Sequence, residues 1–186
     1  MSTRGVRARS TTLVMTGAES SGKTTLAQDI AQHFAAPWVP EFARSYLAQS
    51  RFIDRPHDYS EEDVEAIAHG QHCAEAAARA VCAGLLVVDT DLLVILIWMR
   101  ERFGRVPEWI TQSLRAAAQD ATERRYVLTT PEMPWDADPL REHPNARMHL
   151  HLLYREALQQ NALRFIEVVG DRQQRLAAVQ QWLAET

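Results

Sequence analysis

The stretch GAESSGKTT, Gly17 to Thr25, lies between the apolar run TTLVMT and the amphipathic run LAQDIAQHF. It fits the spacing G-x-x-x-x-G-K-[ST], a loop whose backbone N–H groups cradle nucleotide phosphates. Leu26, Ile30 and Phe34 recur at helical spacing behind it. Strand, glycine loop and helix in that order are the context the loop requires, because the helix N-terminus adds its dipole to the phosphate site. Gly17, Ala18, Glu19, Ser20, Ser21, Gly22, Lys23, Thr24 and Thr25 are therefore candidate nucleotide-binding residues, with ATP as the ligand.

Residue usage supports a working loop. The chain has 20 basic residues, and the only lysine among them is Lys23, inside the loop. A compact, flexible ammonium fits between β- and γ-phosphate oxygens where a planar guanidinium does not.

The remaining pattern predicts strands alternating with helices. TTLVMTG reads as a strand, PWVPE as a short one ending near Glu41, LLVVDTD as a third, RYVLTTP as a fourth and RFIEVVG as a fifth. Helices are expected through KTTLAQDIAQHF, FARSYLAQS and LLVILIWMRERF, and from about Glu108 to Glu123 with Pro107 in the first turn. Two more are expected in MHLHLLYREALQQ and DRQQRLAAVQQWL. A long helix is expected after Ser60, capped with Asp63 and closed by Gly84. This alternation implies a three-layer α/β fold, a five-stranded parallel sheet with helices on both faces.

The 186 residues suit one domain, and no linker or repeat divides them. Residues 132–147, with Pro134, Pro139 and Pro144, form a polar connection long enough for a lid. The first ten residues are polar and Arg-rich, and are expected to fray. The longest apolar run, Leu92 to Met99, is far below the ~20 residues that cross a bilayer. With no signal-peptide core visible, a cytoplasmic location is expected. A net charge of -4 gives no overall attraction to nucleic acid or anionic membrane. Cys73 and Cys82 fall nine positions apart in one predicted helix, about 13 Å along its axis, too far to bridge. Both are read as buried thiols.

In such sheets ligands sit beyond the carboxyl ends of the strands. That places Glu41, Asp89 and Asp91 beside the loop. Thr24 and Asp89 are candidate ligands of Mg²⁺, since an acid ending an apolar strand needs a partner. Asp91 is either functional or a helix cap. Glu41 is a candidate base or a helix N-terminal carboxylate, and Arg44, one turn on, clamps substrate or pairs with Glu41. Arg141 and Arg147 in the lid are candidates to close over a transferred phosphate. His149 and His151 point away from each other, and His69 with His72 lacks a third ligand, so no histidine metal site is expected.

Together GAESSGKTTLA, VPEFARSYL, IAHGQ, VVDTDLLVILIW, FGRVPEWI, YVLTTPEMPWDADPLREHPNAR and VVGDRQQRLAAV resemble the ribosylnicotinamide kinase domain of NadR-type proteins, from about Leu13 to Ala178. The resemblance implies a P-loop kinase fold and ATP-dependent phosphorylation of nicotinamide riboside to its mononucleotide, in NAD salvage. Full-length members add an adenylyltransferase domain and sometimes a helix-turn-helix regulator; neither is expected within these residues, so neither NAD synthesis nor DNA binding is expected of them. VILIWM departs from the family in being more apolar. A cationic pyridinium favours aromatic faces and carboxylates, which makes Glu41, Arg44, Tyr46, Gln71, Asp91, Trp98 and Trp135 candidate substrate residues. The implied chemistry is in-line transfer to the ribose 5′-hydroxyl, with Lys23 on the phosphates, Glu41 or Asp91 orienting the hydroxyl, and GDRQQR near the adenine. Two alternatives stay open: another nucleoside kinase of the same fold, and an ATP-sensing regulator.

Overall fold

β1 (Thr11–Gly17) runs through the centre of a five-stranded sheet, between β3 (Leu85–Asp89) and β4 (Glu123–Thr129). β2 (Trp38–Val39) and β5 (Arg164–Val168) form the edges, giving the order β2-β3-β1-β4-β5 with every neighbour parallel. The computed structural model describes residues 10–49, 52, 55, 57–119, 123–132 and 146–185. Trp135 and Arg141, most of the expected lid and nearly all of the segment expected to fray lie outside the described residues.

Seven helices are described: α1 (Lys23–His33), α2 (Phe42–Leu47), α3 (Glu61–Val81), α4 (Leu92–Phe103), α5 (Glu108–Gln119), α6 (Arg147–Gln160) and α7 (Arg172–Ala184). Successive strand residues point to opposite faces. Leu13 and Met15 of β1, with Val87 and Val127, pack on Leu26 and Ile30 of α1 and Val179 of α7. Val14, Leu86, Val88 and Leu128 point the other way, onto a larger core with α3, α4, α5 and α6. Burial on both faces is why these strands read as unbroken apolar runs. None of the described helices is long and apolar enough to cross a membrane.

α1 follows β1 on one face, while α4 follows β3 on the other. The loops after these adjacent strands therefore part, and a crevice opens between their carboxyl ends. Lys23 and Thr24 stand on one side of it and Asp89 on the other.

Three local expectations need correction. α3 ends at Val81, before Gly84, because the Arg79 guanidinium bonds the carbonyls of Cys82, Gly84 and Thr11. β4 starts at Glu123, two residues early and at the position where the helix from Glu108 was expected to end. The Glu123 N–H pairs with the Ser10 carbonyl at 3.0 Å, and the charged start of the strand is neutralised in place. Cys73 is exposed and Cys82 half-buried, because α3 buries only the stripe of Val64, Ile67, Ala68 and Gln71.

Candidate active site

The phosphate loop is held by its glycines and its neighbours. Gly17 has φ +135°, and a Cβ there would stand 2.6 Å from Thr129 Oγ1 and 2.8 Å from the Thr129 carbonyl. Gly22 has φ +85° and opens α1. Both positions demand glycine. Ser21 Oγ donates to the Ala18 carbonyl at 2.7 Å and lies 2.6 Å from Thr129 Oγ1, which fixes the loop's curl. The Lys23 ammonium donates to the Ala18 carbonyl at 2.8 Å. Burial lowers its pKa, and the carboxylates of Glu41, Asp89 and Glu19 oppose that shift.

The loop forms the floor of a cavity of about 590 Å³. Gly17 and Glu19 to Thr25 line that floor, with Glu41, Ala43, Arg44 and Leu47 on one wall. α4 contributes Val94, Ile97, Trp98, Glu101 and Arg102, and Tyr59 packs beside them. Ala146, His149, Leu150 and Tyr154 enter from α6 and the turn before it. α4 faces the cavity with one side and buries Leu93, Ile95, Leu96 and Met99 with the other, which explains its continuous apolar sequence. Trp98 Nε1 donates to the Tyr59 hydroxyl at 2.9 Å, and the two rings meet edge to face at 5.0 Å.

Glu41 and Arg44 pair at 3.3 Å, and both line the cavity. Asp89 is 1% exposed, and neither carboxylate oxygen receives a hydrogen bond of normal geometry from the described residues. Burial raises its pKa to about 6 and the Glu41 charge adds to this, while the Thr24 hydroxyl, Lys23 and Arg44 pull the other way. A buried acid with unused oxygens next to a threonine hydroxyl and a phosphate loop fits a hard divalent cation. Mg²⁺ keeps several waters and substrate oxygens, so one carboxylate and one hydroxyl suffice. Arg147 reaches back toward the loop, its Nη1 3.4 Å from the Ser20 carbonyl.

Three candidates point elsewhere. Asp91 is fully buried as the N-cap of α4: Oδ1 accepts the Leu93 N–H at 3.0 Å, and Oδ2 meets Arg124 at 2.7 Å and the Tyr126 hydroxyl at 2.8 Å. Its lone pairs are consumed inside the protein, away from the cavity lining. Gln71 is also buried, accepting the Phe42 N–H at 2.8 Å and donating to the Thr90 carbonyl at 3.1 Å. It ties the start of α2, beside Glu41, to the end of β3, beside Asp89. Tyr46 donates to Asp63 at 2.9 Å and packs against Phe42 and Phe52.

Sequence reasoning missed Tyr59, Glu101, Arg102 and Tyr154, while Arg175, the last residue of the GDRQQR stretch expected near the adenine, is buried with Nη1 on the Ser21 carbonyl of the phosphate loop. Helical spacing from Trp98 points to Glu101 and Arg102, and residues 146, 149, 150 and 154 share one helical face. Tyr59 carries no local signal.

A family model described as an AAA domain (AAA_28) matches residues 12–175. The chain belongs to this AAA domain family. It is 27% identical over 160 residues to the trifunctional NAD biosynthesis/regulator protein NadR of Salmonella typhimurium, covering 84% of this chain and 38% of that protein. NadR of Escherichia coli gives the same figures. This AAA domain chain thus spans well under half the length of the curated relatives it matches. A solved structure of NadR protein in complex with NR superposes with a TM-score of 0.69 at 20% identity, covering 94% of this chain and 50% of that one. Deoxyadenosine kinase from M. mycoides superposes with a TM-score of 0.66 at 13% identity, covering 94% and 100%. The fold is the P-loop kinase fold, and the likeness to NadR read from the motifs holds in both sequence and structure.

Proposed function

We propose that this chain is an ATP- and Mg²⁺-dependent kinase that phosphorylates the ribose 5′-hydroxyl of nicotinamide riboside in NAD salvage. One observation carries the reading: a single cavity joins the phosphate loop to an end built from Tyr59, Trp98 and Tyr154, with Glu41 and Glu101 on its walls. A cationic pyridinium gains from aromatic faces and from carboxylates in such an enclosed site. The NadR relatives support the same choice, since one of them is described as a complex with NR.

The loop amides and Lys23 hold the polyphosphate of ATP. Thr24 and Asp89 hold Mg²⁺, whose charge when bound offsets that of the phosphate oxygens. Glu41 orients the acceptor hydroxyl and takes its proton as the hydroxyl oxygen bonds to the γ-phosphorus and the β,γ-bridging bond breaks. Arg44 holds Glu41 in place, and Arg147 brings a second cation to the loop from α6. Arg141 and Trp135 remain candidates for the closing segment. Positioning and electrostatics supply most of the rate in transfers of this kind.

Purified protein with Mg·ATP, assayed for ADP release against nicotinamide riboside, neutral nucleosides and no acceptor, tests the reading. Turnover with nicotinamide riboside alone, giving its mononucleotide, is expected. Turnover with a neutral nucleoside instead would favour a nucleoside kinase, and ATP binding without acceptor-dependent turnover would favour a sensor.

A further inference from the structure

α7 packs behind the phosphate loop, and Arg175, in its first turn, is 3% exposed. Its guanidinium donates in three directions. Nη1 bonds the Ser21 carbonyl at 2.5 Å, Nη2 the Thr130 carbonyl at 3.2 Å, and Nε the Gly170 carbonyl at 2.8 Å. One side chain therefore joins the loops that follow β1, β4 and β5. A Cβ built on Gly22 would lie 3.5 Å from Nη1, so the cation stands directly behind the glycine that opens α1.

All of these acceptors are neutral, as is Thr130 Oγ1 at 3.4 Å. Among the described residues Arg175 has no carboxylate at ion-pair distance. Other largely buried arginines do: Arg124 pairs with Glu75 and Asp91, and Arg125 with Glu123. Burial holds the Arg175 guanidinium below the usual arginine value, opposed only by the charge of the exposed Glu132. A buried cation whose opposing charge, on the exposed Glu132, lies beyond ion-pair distance costs the empty fold stability. A polyanion bound on the open side of the loop removes that cost, because little solvent screens charges across the loop.

We propose that Arg175 is a positioning residue for the nucleotide, a fixed cation behind the phosphate loop that finds a close counter-charge when a polyphosphate binds. The proposal rests on the reading of Gly17–Thr25 as a nucleotide-phosphate site. It assigns α7 a part in ATP affinity that no contact with the nucleotide is needed to deliver. Two effects combine: the fork fixes the Ser21 carbonyl on the side of the loop away from the cavity, and the charge adds to the loop's potential.

The test is calorimetric binding of ATP and ADP to the full chain, with urea denaturation of the free protein, for wild type, Arg175→Gln and Arg175→Lys. Arg175→Gln is expected to weaken ATP about tenfold, equivalent to about 1.4 kcal/mol, and to weaken ADP less. Arg175→Lys keeps the charge and is expected to bind ATP within about threefold of wild type. Equal weakening in both variants, or unchanged ATP affinity with a lowered urea midpoint, would reduce Arg175 to a brace and overturn the proposal. Should Arg175→Gln not fold, Arg175→Lys decides alone, since a tenfold loss there contradicts a role for charge. Failure of wild type to bind ATP would instead refute the phosphate-loop reading itself.

Discussion

Arg124 donates through Nη2 to Asp91 Oδ2 at 2.7 Å, and its other amino group meets Glu75 Oε1 at 2.5 Å. The guanidinium thus joins α3, β4 and the start of α4 in one buried network that also holds the Tyr126 hydroxyl. Burial pushes the Tyr126 phenol far up, so it acts here as a hydrogen-bond donor at every ordinary pH. α4 carries Trp98 into the cavity, and this network sets where α4 begins.

Asp91→Ala removes both the N-cap and one partner of a buried cation. It is expected to cost about 3 kcal/mol or more in urea denaturation. Turnover of the folded fraction should fall less than tenfold. A variant of normal stability with a hundredfold loss of kcat would return Asp91 to the chemistry.

Asp89 gives a pH signature. Its native pKa of about 6 exceeds the ordinary value of 3.8, so the native state binds more protons than the unfolded chain between those values. The associated stability is full below about pH 4, falls as pH rises through about 6, and is lost above. Asp89→Asn should therefore match wild type near pH 4 and exceed it by roughly 2–3 kcal/mol at pH 8. Urea curves of the free proteins at the two pH values check this. The same variant should lose acceptor-dependent turnover, because an amide holds a divalent cation poorly.

Glu41 lines the cavity and keeps Arg44 beside it. Glu41→Gln preserves size and hydrogen bonding but cannot take a proton. We expect kcat to fall about 10²- to 10⁴-fold, with the KM for ATP within about threefold. A change confined to the acceptor KM would make Glu41 a binding residue only.

Gly17→Ala forces a methyl group against Thr129 at a φ that side chains avoid. A loss of at least about 2 kcal/mol is expected. Gly84→Ala is the control: a Cβ there meets nothing within 4 Å, and the change should stay within about 0.5 kcal/mol. Comparable losses at both positions in urea denaturation would contradict the close approach of β1 and β4.

The layered sheet and the phosphate loop were legible because their signals are local. Four apolar residues before Asp89 suffice to mark a strand buried on both faces, and the spacing of Gly17, Gly22 and Lys23 marks the loop without reference to the rest of the chain. The cap at Ser60 was legible for the same reason, and forms as a reciprocal pair with Asp63. Boundaries failed where a distant partner intervened, as at Arg79, which ends α3 by bonding carbonyls of the next loop and of β1.

Sequence alone determined the fold class and the place of the phosphate-loop motif, since hydrophobic period and motif spacing are properties of neighbouring residues. Which polar side chains face the cavity was decided only by tertiary packing. Asp89 and Asp91 are two positions apart and chemically identical, yet one keeps its oxygens unused while the other spends them on Arg124, Tyr126 and the Leu93 N–H. Gln71 and Arg175 likewise took their roles from backbone groups brought beside them by other elements. A polar group's function depends on which partners remain unsatisfied after the chain has closed around it, and those partners come from every part of the sequence.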